Sequence, residues 1–491
     1  MAEDDSTIGT RVRSALIWRS GSQIVAQLAT WTSTFFVIRL LSPSDYGLFA
    51  MTQVVLSLMN LLNGYSFTGA LVQAKEIDPR QVRQVLGMLV LLNFSLAAAQ
   101  FLSAPLAASY FRTPMVADML RVQSLFYLCT PFIMVPQALL SRGMDFRTIA
   151  RVNIGAALLS AIVAPSCALA GFGVWTLVLA PMSLYVARAL GLFVLGRWWV
   201  WPSFRFKGAG GVFGFGLAIL ASELLWFVQT QADVFIAGRN LPAHEVGIYT
   251  TSLFLAQILV NKFVPALNEV AFPAYARLQG DRATVAAGFA KSVRLIMLVA
   301  MPFSLGLAVT AEPLVLTVLG PKWAETIPVV RILGFAMPFV TLQILYAPAT
   351  NALGRPSIAA IISATGAIIM PIAYLIAVRH GAAGMAYAWL FSFPLLTLGA
   401  TLFSMPVIGI TGRALRAALA PAVLAGSLMA IVVAGADRLL PPLHPFAHLV
   451  ALVGIGGASY ALALLIAARP VINELFALLR SRQAPAAAQA V

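Results

Sequence analysis

The sequence predicts an all-α polytopic membrane protein with about fourteen transmembrane helices. Two six-helix bundles related by an internal repeat are followed by two C-terminal helices. The first support is composition. Of 491 residues, 60% are hydrophobic and 10% charged, against about 25% charged in soluble domains, and the mean hydropathy is +0.90. Water is therefore not the main solvent. In hydrocarbon every backbone polar group needs an internal partner, and long apolar runs meet that need as helices. The second support is where the charge falls, and the third is a repeated polar turn.

Apolar runs between charged or Gly/Pro-rich breaks place spans near 15–38, 47–70, 84–109, 117–140, 149–170 and 173–195. A second series lies near 210–237, 247–270, 288–311, 327–350, 358–378, 383–405, 414–435 and 447–468. The corresponding domains are an N-terminal lobe over 1–196, a C-terminal lobe over 197–406, two appended helices over 407–470 and a tail over 471–491. The net charge of +15 is spread over short breaks rather than clustered, which excludes a nucleic-acid surface. Lys and Arg favour alternate breaks by roughly threefold. Breaks such as 142–151, with Arg142, Arg147 and Arg151, are thereby assigned to the cytoplasm, and those holding Arg39, Arg112 and Arg239 to the outside. Both termini are expected in the cytoplasm. The first residues, MAEDDSTIGTRVRSALIW, lack the pattern of a cleaved signal and are expected to be retained. No break is long enough for an inserted catalytic domain, so an enzyme is not expected. Cys129 and Cys167 fall in separate spans and form no framework.

The turn Arg39–Phe49 recurs as Arg239–Tyr249 at a constant offset of 200 residues. Arg, Leu, an acid, Gly, an aliphatic and an aromatic residue match in place. Because the match lies in a polar turn rather than an apolar run, it indicates duplication. Gly47 and Gly247 allow close helix packing, and the acids Asp45 and Glu245 suit the helix N-termini that follow.

Ionisable groups within spans cost several kcal/mol unless they face a partner or cavity, which makes them the functional candidates. Glu223, Trp226, Thr230 and Asp233 share one face of the seventh helix, near Gln229 and Gln231. The eighth helix carries Lys262 and Glu269, seven residues apart, flanked by Asn261 and Asn268. Gln23, Gln27, Thr30 and Thr34 line the first helix, and Gln53, Ser57 and Asn60 the second. These stripes are consistent with a hydrophilic path or with interhelical glue. Glu223 fits a cavity role, Asp233 is near enough in sequence to pair with Arg239, and Lys262 either pairs with Glu269 or attracts an anion. Arg121 and Arg188, toward span ends, are expected to snorkel to headgroups. The four histidines make no metal site, and the glycine-rich run Gly208–Gly216 lacks the strand and Lys-Ser/Thr of a phosphate loop.

Several motifs occur in a telling order. They are Pro43-Ser44-Asp45-Tyr46-Gly47-Leu48-Phe49-Ala50, Ser141-Arg142-Gly143-Met144-Asp145-Phe146-Arg147, Gly171-Phe172-Gly173-Val174-Trp175, Gln231-Ala232-Asp233 with Gly238-Arg239, Phe272–Gln279 and Leu319-Gly320-Pro321-Lys322-Trp323. In these the chain resembles the polysaccharide transporters, the Wzx-like lipid-linked oligosaccharide flippases of the multidrug/oligosaccharidyl-lipid/polysaccharide superfamily, over roughly residues 10–410. The resemblance implies two bundles around a cationic cavity and alternating access that moves a polyprenyl-diphosphate-linked repeat unit outward, for exopolysaccharide or lipopolysaccharide export. Lys262 is the one mid-span cation read from the sequence, and three carboxylates accompany it. The implied partners are the lipid-linked oligosaccharide, membrane lipids and polysaccharide assembly proteins. No cofactor is implied beyond coupling to protons or sodium ions. Alternatives are a cation-coupled multidrug antiporter, a peptidoglycan-precursor flippase and, from another class, a membrane polymerase or transferase.

Overall fold

The computed structural model describes residues 21, 25–63, 78–196, 200–204, 224, 227–278, 280–441 and 443–467, with backbone alone at 262–270. Every regular element among them is helical. Nine of the described helical stretches are long and apolar enough to cross a membrane, and one of these, Pro356–Ile408, is 53 residues long with a break at Val378–His380. Large apolar side chains cover their outer faces: Leu102, Leu106, Phe391, Ile431 and Ile466 are all more than two-thirds exposed. That pattern suits a lipid solvent. The chain divides into two compact units at Thr250.

The first unit contains α1 (25–40), α2 (Pro43–Asn60), α3 (Pro79–Phe111), α4 (Met115–Gln123), α5 (Leu125–Arg142), α6 (Phe146–Leu169), α7 (Thr176–Leu195), α8 (227–240) and the start of α9 (Ala243–Arg277). Local chemistry sets the boundaries. Ser42 and Asp45 form a reciprocal capping box at α2, with Pro43 in its first turn. Asp78 accepts from the Arg80 amide at α3, and Asp145 from the Thr148 amide at α6. The helix-packing cores are modest: Leu56, Leu96, Phe126 and Tyr127 form one, and Ile133, Val152 and Leu192 another. Gly191 abuts Val152 and lets α6 and α7 approach.

The repeated turns meet in a reciprocal contact. A Cβ on Gly47 would stand 1.7 Å from the carbonyl oxygen of Ala243, and one on Gly247 would stand 1.7 Å from that of Pro43. The residues of each contact are those of the other shifted by 200. Both glycines are thus required by backbone-to-backbone packing at the starts of α2 and α9. Positive-φ residues punctuate both units: Arg112, Met144, Gly171 and Gly173 in the first, and Gly320, Gly354, Gly381 and Gly409 in the second.

In the second unit, Asp281 caps α10 (Arg282–Val309) through the Ala283 and Thr284 amides. Its exposed carboxyl is held below the usual range by the hydroxyl and amide of Thr284. Then follow α11 (Ala311–Val318), α12 (Thr326–Ile344), α13 (Tyr346–Ala352), α14 (Pro356–Ala377), α15 (Gly381–Ile408), α16 (Gly412–Leu439) and α17 (Pro445–Ala467). This unit is densely filled. Phe289, Val293, Leu333, Met337 and Tyr346 are buried, and Gly334 lies against Ala308 and the Ser304 carbonyl. The last two helices have generic sequences but a specific seat: Gly426 packs on Met301 and Leu305, and Tyr460 donates to the Leu298 carbonyl at 2.7 Å.

Replacing Gly47 or Gly247 with Ala is expected to lower stability by at least about 1–3 kcal/mol, the cost of overpacking a tight contact. Gly155→Ala, where a Cβ meets nothing within 4 Å, is the control. Thermal unfolding in detergent measures both. Equal midpoints for all three variants would remove the glycine contact as a constraint.

Candidate functional site

A cavity of about 430 Å³ lies inside the first unit, lined from α2, α5 and α7. Helix α2 contributes Phe49, Gln53 and Asn60, with Asn63 just beyond its end. Helix α5 contributes Phe126, Tyr127, Thr130, Gln137 and Ser141, and α7 contributes Pro181, Tyr185 and Arg188. Amides, hydroxyls and flat aromatic faces therefore share one hollow in an otherwise apolar bundle. The Phe126 and Tyr185 rings stack at 5.0 Å and 7°. Such walls offer area without rotamer cost, and the polar groups supply orientation.

Arg188 is the charged member of this set. It donates from Nη2 to Gln137 Oε1 at 2.9 Å, and its Nε is buried without a partner. The expectation that Arg188 snorkels to headgroups is thus overturned. The side chain turns into the bundle because Gln137 and the cavity offer polar company that lipid does not. Arg121 pairs with Asp118 at 3.2 Å and lies over the Phe101 ring.

The wall behind the cavity is a buried polar network in which the Asn93 Oδ1 and Gln123 Oε1 atoms lack a partner. Tyr127 donates to Gln100 Oε1 at 3.3 Å, while Gln100 donates to the Leu120 carbonyl at 2.8 Å. Gln123 donates to the Thr52 hydroxyl at 3.1 Å, and Asn93 holds the Asn63 and Leu89 carbonyls. These bonds fix α2, α3, α4 and α5 against one another and define the cavity's shape.

Of the residues singled out from sequence, Gln53 and Asn60 line the cavity, Asn60 at an exposed position where it accepts from Asn63 at 3.5 Å. Thr30 is exposed and donates to the Ala26 carbonyl, and Gln27 is half-buried. Gln229 is half-buried with Oε1 lacking a partner, and Asn261 donates to Gln257 at 3.4 Å. Gln23, Glu223 and Trp226 lie outside the described residues, as do the side chains of Lys262 and Glu269.

Asp233 is buried, accepting from the Tyr249 hydroxyl at 2.8 Å and from the Val234 amide at 2.7 Å. The expected Asp233–Arg239 pair does not form. Six residues along a helix turn Arg239 well away from the Asp233 face. The guanidinium of Arg239 instead donates to the Ser109 and Tyr110 carbonyls. Tyr185 and Gln137 join the site without having been singled out by the sequence, and Arg188 joins it in place of the headgroup contact expected of it. The i, i+3 spacing of Tyr185 and Arg188 was the available signal, and Pro131 and Pro136 marked α5 as irregular.

Tyr249→Phe removes one of the two donors to a buried carboxyl group and is expected to cost about 1–3 kcal/mol. In a double-mutant cycle with Asp233→Asn, measured by thermal unfolding, the two effects should be non-additive. Strict additivity would show that the pair contributes no coupling.

Comparison with known proteins places this architecture. Over 95% of its length the chain is 25% identical to the succinoglycan biosynthesis transport protein ExoT of Rhizobium meliloti (strain 1021), covering 96% of that protein. It is 24% identical to the lipopolysaccharide biosynthesis protein WzxC of Escherichia coli (strain K12), over 60% of each. The fold matches the lipid II flippase MurJ in an inward closed conformation, with TM-score 0.73 and 12% identity, over 93% of this chain and 100% of that one. Residues 36–328, more than half of the chain, match the model of one family. A polytopic helical bundle with a polar hollow is thereby assigned: the chain belongs to the polysaccharide biosynthesis protein family.

Proposed function

We propose that this protein is a flippase that moves a polyprenyl-diphosphate-linked oligosaccharide repeat unit from the cytoplasmic to the outer leaflet by alternating access, supplying exopolysaccharide or lipopolysaccharide assembly. The observation that carries the reading is the cavity of amides, hydroxyls and stacked aromatics around Arg188, in a member of a polysaccharide biosynthesis family. A sugar chain and diphosphate cannot enter hydrocarbon without losing their hydrogen bonds. A polar hollow replaces those bonds, while the lipid tail stays in the bilayer. Arg188 gives the hollow a positive group suited to the anionic end of such a substrate, and Gln53, Asn60 and Asn63 suit its hydroxyls. The same positive charge disfavours the cationic drugs that an antiporter would carry.

In this reading the protein is a multi-pass inner-membrane transporter rather than an enzyme, with both termini cytoplasmic as the Lys/Arg distribution supports. Under that topology α2, α5 and α7 all run inward, so Asn60, Asn63, Ser141 and Arg188 lie toward the cytoplasm, where the lipid-linked unit is made. Polysaccharide assembly proteins on the outer side are the expected partners. Inward movement of protons or sodium ions is proposed to drive the cycle through Glu223 or Asp233, the carboxylates of the seventh helix.

Deleting the gene should trap the lipid-linked unit on the cytoplasmic face and abolish surface polysaccharide. Arg188→Ala should restore export poorly, to about a tenth of the wild-type rate or less if the guanidinium contributes a charge-assisted bond, while Arg188→Lys should restore part of it. Normal export after deletion, with no second exporter present, defeats the proposal. Accumulation of peptidoglycan precursor instead would move the assignment to that substrate. Separately, Glu223→Gln should abolish the dependence of transport on an ion gradient. Full transport with that dependence intact removes Glu223 from the coupling.

A further inference from the structure

The C-terminal end of α3 is tied to the C-terminal end of α8 by a compact cluster. Arg239 donates from Nη1 to the carbonyls of both Ser109 and Tyr110, and its guanidinium carbon sits 5.2 Å from the centre of the Tyr110 ring. The Tyr110 ring stacks on Phe235 at 4.4 Å and 24°, and its hydroxyl donates to the Phe235 carbonyl at 3.4 Å. Phe111 meets Phe235 edge-on at 6.3 Å. Gly238 makes the approach possible, since a Cβ there would stand 2.8 Å from the Phe111 ring. Arg239 bonds the carbonyls that end α3, where a cation also complements the helix dipole.

We propose that this cluster is a releasable latch: Arg239 and Phe235 of α8 grip Ser109 and Tyr110 of α3 and hold the outer ends of these two helices together. The chemistry fits a contact that must open. Its strength resides in three hydrogen bonds, one cation–π contact and one ring stack at a partly exposed position, and water and headgroups can replace the hydrogen bonds. The cavity, by contrast, is walled by buried amide networks that have no such substitute. Asn60, Asn63, Ser141 and Arg188 of the lining lie toward the opposite ends of α2, α5 and α7, so under the transport reading outward release of a substrate requires the latch end to part. This inference rests on the transport reading for its purpose, but not for its test.

A reporter cysteine at Gln53→Cys, in a chain with Cys129→Ala and Cys167→Ala, is labelled in intact cells with a membrane-impermeant thiol reagent. Arg239→Ala, which loses charge-assisted bonds, is expected to raise the labelling rate about tenfold, and Phe235→Ala, which loses the ring stack, about threefold. Arg239→Lys, which keeps charge but not the fork that spans two carbonyls, should fall between. Folded Arg239→Ala and Phe235→Ala variants that label at the parent rate overturn the latch. If Arg239→Ala does not fold, the milder Phe235→Leu carries the same comparison. Labelling reports opening whether or not any oligosaccharide moves. Raised labelling together with normal surface polysaccharide after gene deletion would keep the latch and sink the transport reading, and unchanged labelling with lost export would do the reverse.

Discussion

A polar group inside a lipid-embedded bundle has to find its partner within the protein, and most of this structure follows from that constraint. It makes the described elements helices, because a helix satisfies its own backbone. It also explains the caps, where Ser42, Asp45, Asp78 and Asp145 settle the first amides of their helices. It sets where side-chain polarity can survive. Asn93, Gln100 and Gln123 are buried completely and each holds a neighbouring helix by a hydrogen bond. The hydrophobic effect gives little drive to helix association in lipid, so such bonds and close glycine contacts do more of the organising than in water.

Much of the frame was legible in the sequence because membrane helices announce themselves by run length and composition. The repeat of the turn and the close packing that Gly47 and Gly247 allow were legible too, but not that the two turns would meet each other. Side-chain destinations were harder to read. Arg188 looked like a residue that would reach for headgroups, and nothing local announced that Gln137, 51 residues earlier, would receive it. Asp233 looked paired with the cation six residues away, although helical geometry points the two in different directions. Its partner Tyr249 lies 16 residues on, across a turn. Periodicity identifies a face; only the packing of helices decides what that face meets.

The last two helices illustrate the same limit from the other side. Their sequences are mostly apolar and carry no motif, so hydropathy alone located them. Their attachment nonetheless depends on particular residues: Gly426 admits Met301 and Leu305, and the Tyr460 hydroxyl takes the Leu298 carbonyl. A carbonyl within a helix can accept this second bond because its oxygen has two lone pairs. A single hydroxyl in an apolar helix can therefore fix its register on a neighbour.

Duplication accounts for the frame but not for the chemistry placed on it. Phe49 and Tyr249 occupy the same place in the two copies of the turn, and so do Ser33 and Asp233. In the first copy Phe49 lines the cavity and Ser33 is a small buried residue. In the second, both positions have become polar enough to bond each other, Tyr249 to Asp233, beneath the turn that contacts the first copy. A symmetric pair of helices can close equally at either copy. A frame in which one copy keeps an open aromatic wall and the other a locked acid–phenol pair has unequal sides, and inequality is what a protein needs if it is to present its cavity to one leaflet at a time. The glycines that stay alike hold the two copies of the turn against each other, and the side chains that differ give the two copies unlike surroundings.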